Sequence, residues 1–224
     1  SAGGNTTYFL GQINNTGWWY YFPVIYLLKE PLALHFLTMI ALLLALIAFL
    51  RSSFWKKPFV RLFEWINQHL AEFAMLSFLA LYWLMSIKST LNIGVRHVLP
   101  TFPFVYILSS NQIIKWLKIK LPKKINDFWD LAKKISGVSI KTIAKYGLVA
   151  GLLCWQFITV VLIYPYYLAY FNELAGGPKD GYRFAVDSNL DWGQDLIRLD
   201  TWLEKHHIDK IYLNYFGGSS PEYF

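Results

Sequence analysis

The chain has 224 residues, of which 55% are hydrophobic, 19% aromatic and only 16% charged. Soluble domains carry about 25% charged residues, so this composition excludes an ordinary soluble domain and predicts an integral membrane protein. The net charge of +7 is concentrated in two loops between apolar segments, which is a signal of membrane topology and not of a nucleic-acid-binding surface. We therefore predict no nucleic-acid partner.

The single cysteine and the two ends of the chain limit the function further. Cys154 lies inside an apolar run, so neither a disulfide framework nor a thiolate metal site is expected. The chain begins Ser-Ala-Gly-Gly without Met and ends just after a Gly-Gly-Ser-Ser-Pro turn. Both ends resemble cuts within a longer protein, so we expect the sequence to be a fragment.

Residues 1–30 are predicted to form an extracytoplasmic loop and an aromatic interfacial segment. Residues 1–16 are polar and rich in Gly and Asn, which indicates an irregular loop. The stretch GWWYYFPVIYLLKE that follows is aromatic and then apolar. The rings from Trp18 to Tyr21 have the amphipathic chemistry that settles at headgroup depth, which favours an aromatic belt over a substrate-binding surface.

Residues 31–171 are predicted to contain four transmembrane helices. A helix needs ~20 apolar residues to cross a hydrocarbon core of ~30 Å. The predicted spans are about 31–50, 70–87, 98–114 and 146–168. Pro100 and Pro103 fall in the first turns of the third span, where missing amide donors cost least, and Pro165 is expected to end or kink the fourth.

Two basic loops between these spans predict which side of the membrane each segment occupies. Residues 51–68 have a balance of +3, and residues 115–145 have nine lysines against two aspartates. Each loop also carries apolar residues at helical spacing, which predicts an amphipathic helix on the membrane surface. Those residues are Phe59, Leu62, Phe63 and Ile66 in the first loop, and Phe128, Trp129, Ala132 and Ile135 in the second.

Basic loops face the cytoplasm in most membrane proteins. Four spans then place the N-terminal loop, the short loop at residues 88–97 and the tail at residues 172–224 together on the opposite side. The tail has five basic and nine acidic residues. Its apolar pattern at Leu196, Leu199, Trp202 and Leu203 predicts a helix, and Ile211–Phe216 predicts a strand. We therefore expect the start of a small extracytoplasmic α/β domain, truncated at residue 224.

An Arg–His pair stands where the short loop turns into the third span. Arg96 has a fixed fork of donors and stays charged, which suits a phosphate diester at the membrane surface. His97 could add a hydrogen bond or move a proton near neutral pH. The alternative is that Arg96 only extends toward lipid headgroups. We favour ligand binding, because Pro100 and Pro103 would stiffen the adjoining helix.

Three aspartates in VDSNLDWGQDL form a second candidate site. Asp187, Asp191 and Asp195 are four residues apart, so they could share a helix face and bind a divalent cation or an acceptor. Asp191 followed by Gln194 also fits a capping box before the LIRL helix. We favour the cap, then acceptor contact, then a metal, and we predict no required cofactor.

Three segments together resemble a known family of membrane enzymes. They are GWWYYFPVIYLLKEP, RHVLPTFPF and NELAGGPKDGYRFAVDSNLDWGQDL. They resemble bacterial and archaeal members of the dolichyl-phosphate-mannose protein mannosyltransferase group, which are polytopic GT-C glycosyltransferases. The group also includes the aminoarabinose transferases that act on lipid A. The resemblance covers most of the chain but is loose in the basic loops.

The resemblance implies transfer of a sugar from a polyprenyl-phosphate donor to a protein, lipid or glycan acceptor on the non-cytoplasmic face. In this group an acidic residue of the first external loop acts as general base, and cationic groups stabilise the leaving phosphate. That loop is not in this sequence, so we expect the fragment alone to be inactive. Arg96, and more weakly His97, correspond to donor-phosphate ligands. Candidate acceptor contacts are Trp18, Trp19, Tyr20, Asp187, Asp191, Trp192 and Asp195.

Two other functions remain open from the sequence. A transporter subunit for lipid-linked intermediates would carry polar residues near the middle of its spans, and the spans offer mainly His35, Gln156 and Thr159. A non-catalytic membrane anchor would present the acidic tail to a partner. An external acidic loop upstream of residue 1 would favour the enzyme over both.

Overall fold

The structure is a computed structural model that describes residues 6–117 and 139–215, with the backbone alone described at residues 53 and 54. The described residues fall into two compact units. Unit 1 is drawn from Ser1–Lys29, Ser86–His97 and Ile163–Phe224, and unit 2 from Glu30–Met85 and Val98–Leu162. The three segments of unit 1 are those that the sequence analysis placed on one side of the membrane; the side itself remains a prediction.

The described residues contain a short hairpin and a series of α-helices. The hairpin strands are β1 (Thr7–Phe9) and β2 (Gln12–Asn14). The helices are α1 (Tyr21–Lys29), α2 (Leu32–Arg51), α3 (Pro58–Gln68), α4 (Leu70–Lys88), α5 (Phe102–Leu117), α6 (Ile140–Ile163) and α7 (Leu196–Lys205). Short 3₁₀ turns connect several of them.

Three of these helices, α2, α4 and α6, are long and apolar enough to cross a membrane, and most of their surface is exposed. Apolar helices that expose their side chains need an apolar solvent, which indicates a membrane protein. The first two predicted spans match α2 and α4 closely. The fourth was predicted to begin near residue 146, but α6 begins at Ile140 and ends before Pro165, because a residue that precedes proline avoids helical geometry.

The predicted third span begins later than the sequence indicated. Val95–Thr101 is a 3₁₀ helix that contains Pro100, and the α-helix starts only at Phe102. Proline removes an amide donor, which an α-helix interior tolerates poorly. The 16 described residues of α5 cover about 24 Å, which is less than the ~30 Å core. A fourth crossing therefore stays a prediction.

The interior of unit 2 is a contact between α2, α5 and α6. Small and aliphatic residues of α2 lie at intervals of four, so they share one face of the helix. The buried cluster consists of Ala33, Leu37, Ala41, Ile113, Val149 and Leu152. Alanines at a helix contact allow the backbones to approach closely, which is how helices pack where lipid is the solvent.

The helix predicted in residues 51–68 is present as α3, and none of its residues is buried; its position at a membrane interface stays a prediction. The second predicted interfacial helix, with Phe128 and Trp129, lies outside the described residues.

The N-terminal region of unit 1 is a hairpin, so the prediction of an irregular loop was wrong. β1 and β2 pair antiparallel, with Tyr8 opposite Ile13. The connecting residues Leu10 and Gly11 both have positive φ, at 50° and 81°. Such geometry matches the twist of a two-residue hairpin, but leucine rarely adopts it, so the residue types at the turn did not predict it.

The tail of unit 1 packs on the hairpin and on α1. Ala185 forms a bridge with Phe9. At the other end, the Asn172 amide nitrogen donates to the backbone oxygen of Leu27 at 2.6 Å, and the Asn172 backbone N–H donates to that of Leu28 at 2.9 Å. These bonds satisfy carbonyls that the last turn of a helix leaves without partners.

The predicted helix at Leu196 is present as α7, but the predicted strand is not. Ile211–Tyr215 has no regular structure, and Phe216 lies outside the described residues. A strand exists only when it pairs with a neighbour, and the described tail forms helices and turns apart from the Ala185 bridge. The described tail is therefore not an α/β layer.

Candidate functional site

The loop that carries Arg96 and His97 is fixed at its start by a buried asparagine. Asn92 is fully buried, and its side-chain oxygen accepts a bond from the Trp18 backbone N–H at 2.6 Å. The Thr7 hydroxyl donates to the Asn92 backbone oxygen at 3.1 Å. The hairpin and the aromatic segment thus hold the start of the loop.

The tail holds the middle of the same loop. Asn189 is 2% exposed, and its side-chain oxygen accepts from the Val95 backbone N–H at 3.2 Å. Ser188 donates its hydroxyl to the backbone oxygen of Ile93. Gly94 between them has a φ of 127°, and an added Cβ there would lie 2.7 Å from the Ser188 hydroxyl oxygen. Only glycine fits this close approach without strain.

Arg96 follows directly and lies on an aromatic ring from the tail. Its guanidinium carbon is 4.0 Å from the centroid of the Trp192 ring. A guanidinium over an indole face gains cation–π energy while its N–H groups remain available. Among residues 6–117 and 139–215, no carboxylate lies within ion-pair distance of Arg96. Two predicted site residues, Arg96 and Trp192, are therefore brought together.

His97 contacts the aromatic interior of unit 1. Its ring lies 6.3 Å from that of Phe22, edge to face, and Phe22 is buried. Burial lowers the pKa of His97, and the positive charge of Arg96 lowers it further. The imidazole is therefore neutral at pH 7, and it suits hydrogen bonding better than holding an anion by charge.

A cavity of about 350 Å³ opens beside the loop. Its wall is largely apolar in area, and the residues in it that carry polar groups include Thr7, Tyr8, Tyr21, Asn92, Asp187 and Asn189. Burial raises the pKa of Tyr21 to about 12, and the charge of Asp187 adds to the rise, against a bond from Asn189 and the charge of Arg96. The phenol is neutral at physiological pH.

The three aspartates do not form one cluster. Asp187 lines the cavity beside Tyr21. Asp195 lines a separate cavity of about 330 Å³ and pairs with Arg198 at 3.3 Å. Burial raises the pKa of Asp195, with a smaller contribution from Asp191 and opposition from Arg198. The described residues contain no group of three or more metal-ligating side chains.

Asp191 caps a turn and not the helix that the sequence indicated. Its side-chain oxygen accepts from the backbone N–H groups of Gly193 at 2.9 Å and Gln194 at 3.1 Å. The helix begins two residues later at Leu196, after Asp195, whose side chain makes no cap bond. Gln194 instead accepts from the Trp192 backbone N–H at 2.6 Å. The predicted capping box was therefore wrong, although Asp191 does hold the turn that presents Trp192.

The aromatic segment divides between interior and surface. Trp18 and Tyr20 pack on Phe9, with ring centroids 5.6 and 6.0 Å away. Tyr21 is 1% exposed and Trp19 is 69% exposed. An aromatic belt at headgroup depth therefore describes Trp19 better than Tyr21, which is part of the core of unit 1.

A buried lysine in unit 1 was not among the residues predicted from the sequence. Lys29 is 7% exposed and donates to the backbone oxygens of Leu168 and Asn189, each at 2.6 Å. Its ammonium also lies 4.5 Å from the centre of the Phe171 ring. Its position at the end of an apolar run could have predicted this burial, because a buried cation is costly unless hydrogen-bond acceptors surround it.

Comparison of the chain with protein-family models, with curated proteins and with solved structures finds no match. The resemblance to GT-C glycosyltransferases therefore rests on the sequence motifs alone.

Proposed function

We propose that this chain is the C-terminal part of a membrane glycosyltransferase, of the GT-C type, and that Arg96 binds the phosphate of a polyprenyl-phosphate sugar donor. The observation that carries the proposal is the position of Arg96. Its guanidinium lies on Trp192 with no carboxylate of the described chain at ion-pair distance. An arginine without an internal anion is suited to an external one.

Preorganisation supports the same assignment. Three residues of the loop before Arg96 are fixed by hydrogen bonds to other segments: Asn92 to Trp18, Ile93 to Ser188 and Val95 to Asn189. A fixed cation stabilises the charge that develops on a leaving phosphate without the cost of reorienting it during the reaction. His97, which is neutral, would contribute at most a hydrogen bond.

The acceptor side of the proposal is placed at the cavity beside Tyr21. Asp187 lines that cavity, and Trp192 and Trp19 are exposed aromatic surfaces on which a sugar ring could stack. Asp191 and Asp195 have internal partners, which makes them weaker acceptor ligands than Asp187. The proposal names no residue of this chain as the general base, and it does not specify the sugar.

The test is sugar transfer by the full-length protein with a radiolabelled polyprenyl-phosphate sugar. Arg96→Ala should lower the transfer rate ~10²-fold or more, as expected when one preorganised charge donor is lost. Arg96→Lys should restore part of the rate, because lysine keeps the charge but not the fork. Arg198→Ala is the matched control, since Arg198 also lies on an aromatic ring, 4.2 Å from Tyr166.

A wild-type transfer rate in Arg96→Ala would show that Arg96 does not bind the donor phosphate. An equal loss in Arg198→Ala would show that the effect comes from unit 1 as a whole and not from a phosphate contact.

A further inference from the structure

The helix α3 in unit 2 has a surface that the proposed function does not use. It connects two candidate spans, since α2 ends at Arg51 and α4 begins at Leu70. No residue of α3 is buried, and its Phe59 is 86% exposed and Phe63 67% exposed. Large aromatic side chains are rarely left this open to water unless something covers them.

The exposed apolar residues of α3 lie on one face. At 3.6 residues per turn, Phe59, Leu62, Phe63 and Ile66 fall within an arc of about 100°. Arg61 and Glu64 lie on the opposite face, where they pair at 3.6 Å with both side chains more than half exposed. The helix is therefore amphipathic, with a continuous apolar stripe and a charged back.

The charges next to the stripe indicate what covers it. Arg51, Lys56, Lys57 and Arg61 stand against the single carboxylate of Glu64 in this segment. A basic amphipathic helix binds the interface of an anionic bilayer, with its apolar face among the acyl chains and its cations at the phosphates. Because both ends of the segment join candidate spans, α3 is held within reach of such an interface.

We propose that α3 is a binding site for anionic phospholipid, in which Phe59, Leu62, Phe63 and Ile66 enter the interface and Lys56 and Lys57 contact lipid phosphates. This site is independent of the sugar-transfer proposal. The anionic phospholipid would bind α3 in unit 2, whereas the polyprenyl-phosphate donor would bind Arg96.

The test uses the full chain with Cys154→Ala and one spin label, either at Leu62→Cys on the apolar face or at Gln68→Cys on the charged face. The protein is reconstituted in vesicles of phosphatidylcholine alone or of phosphatidylcholine with phosphatidylglycerol. Accessibility of each label to oxygen, which dissolves in lipid, and to a water-soluble nickel chelate reports whether that face is in the interface.

We expect the Leu62 label to favour oxygen and the Gln68 label to favour the chelate, with a larger docked fraction in the anionic vesicles. Lys56→Gln with Lys57→Gln should lower the docked-to-undocked ratio roughly thirtyfold in anionic vesicles, since each basic residue near such a surface is worth about fivefold. The same pair should have no effect in phosphatidylcholine alone. Lys205→Gln with Lys210→Gln, which also removes two exposed lysines, should leave docking unchanged.

Three results would overturn the proposal. Equal docking in both kinds of vesicle would show that α3 does not require anionic lipid. Free access of the nickel chelate to the Leu62 label would show that the apolar face is in water. Protection of that label from both oxygen and chelate would show that protein covers the face, either a second copy or another partner.

Discussion

Unit 1 buries polar side chains, whereas the buried side chains described in unit 2 are small or apolar, apart from Thr101. The polar residues buried in unit 1 are Lys29, Asn92, Asn172, Ser188 and Asn189, and each is hydrogen-bonded to backbone of a distant segment. Thr101 differs, because its hydroxyl bonds only the carbonyl of Val98, one turn earlier.

The difference follows from what surrounds each unit. Helices in lipid gain little from burying apolar surface, so they are held by close packing at small residues such as Ala33 and Ala41. Three segments of loop and short helix have no long apolar face to share, so unit 1 is specified by a network of satisfied polar groups. Such networks define one geometry when complete and cost stability when broken, which suits a site that must hold a charged group in place.

The largest expected effect is the loss of Lys29. Lys29→Met would leave the carbonyl of Leu168 and the buried carbonyl of Asn189 without the Lys29 donor, at a cost of about 3 kcal/mol, because bonds to charged groups are worth ~1.5–3 kcal/mol each. Hydrogen exchange of amides 186–192 in the full chain should accelerate by about two orders of magnitude. The exposed Lys205→Met is the control; identical exchange in both variants would show that the lysine network does not hold the tail.

A smaller effect is expected from adding one methyl group to each unit. Gly181 lies against the Phe171 ring, which an added Cβ would overlap, whereas Gly151 in α6 has nothing within 4 Å of that position. Gly181→Ala should destabilise unit 1 by about 1–3 kcal/mol. Gly151→Ala should be neutral or stabilising by up to about 1 kcal/mol, because alanine is the better helix former.

Thermal unfolding in detergent measures both glycine variants. Phe171→Leu should recover part of the stability lost in Gly181→Ala by making room for the methyl group. A Gly181→Ala variant as stable as wild type would contradict the tight packing described for unit 1.

The smallest effect is a pH dependence from His97. Its pKa is lowered in the folded state by burial, so the unfolded chain binds more protons below the ordinary value of 6.5. The contribution of His97 to the free energy of unfolding is therefore fully present above that pH. It is lost as the pH falls toward the folded-state pKa. His97→Gln should remove this part of the pH dependence of unfolding. A profile unchanged by the substitution would show that His97 is as solvated when folded as when unfolded.

The sequence predicted unit 2 better than unit 1. Long apolar runs identify helices such as α2 and α4 directly, since a membrane span is a local property of ~20 residues. Pro100 shifted the start of α5 because one missing amide changes the local geometry. The hairpin turn at Leu10 and the burial of Tyr21 depend on contacts with residues distant in the chain, and a local pattern does not contain them.

The sequence predicted the cation of the candidate site but not the residues that hold it in place. Arg96 stands out because a guanidinium next to an apolar helix is costly. Its partner Trp192 lies 96 residues away in the sequence, and Asn189, which fixes the loop, resembles an ordinary turn residue. The acidic spacing of four suggested a shared helix face, but Asp187 and Asp195 line different cavities.

The most direct test of the account is binding of a polyprenyl phosphate without its sugar to the full-length protein in nanodiscs. Arg96→Ala should weaken binding about 10–100-fold, since a charge-assisted contact is worth ~1.5–3 kcal/mol, while Arg198→Ala should bind as wild type does. Equal affinity in wild type and Arg96→Ala, with both proteins folded, would contradict the assignment of Arg96 to the donor phosphate.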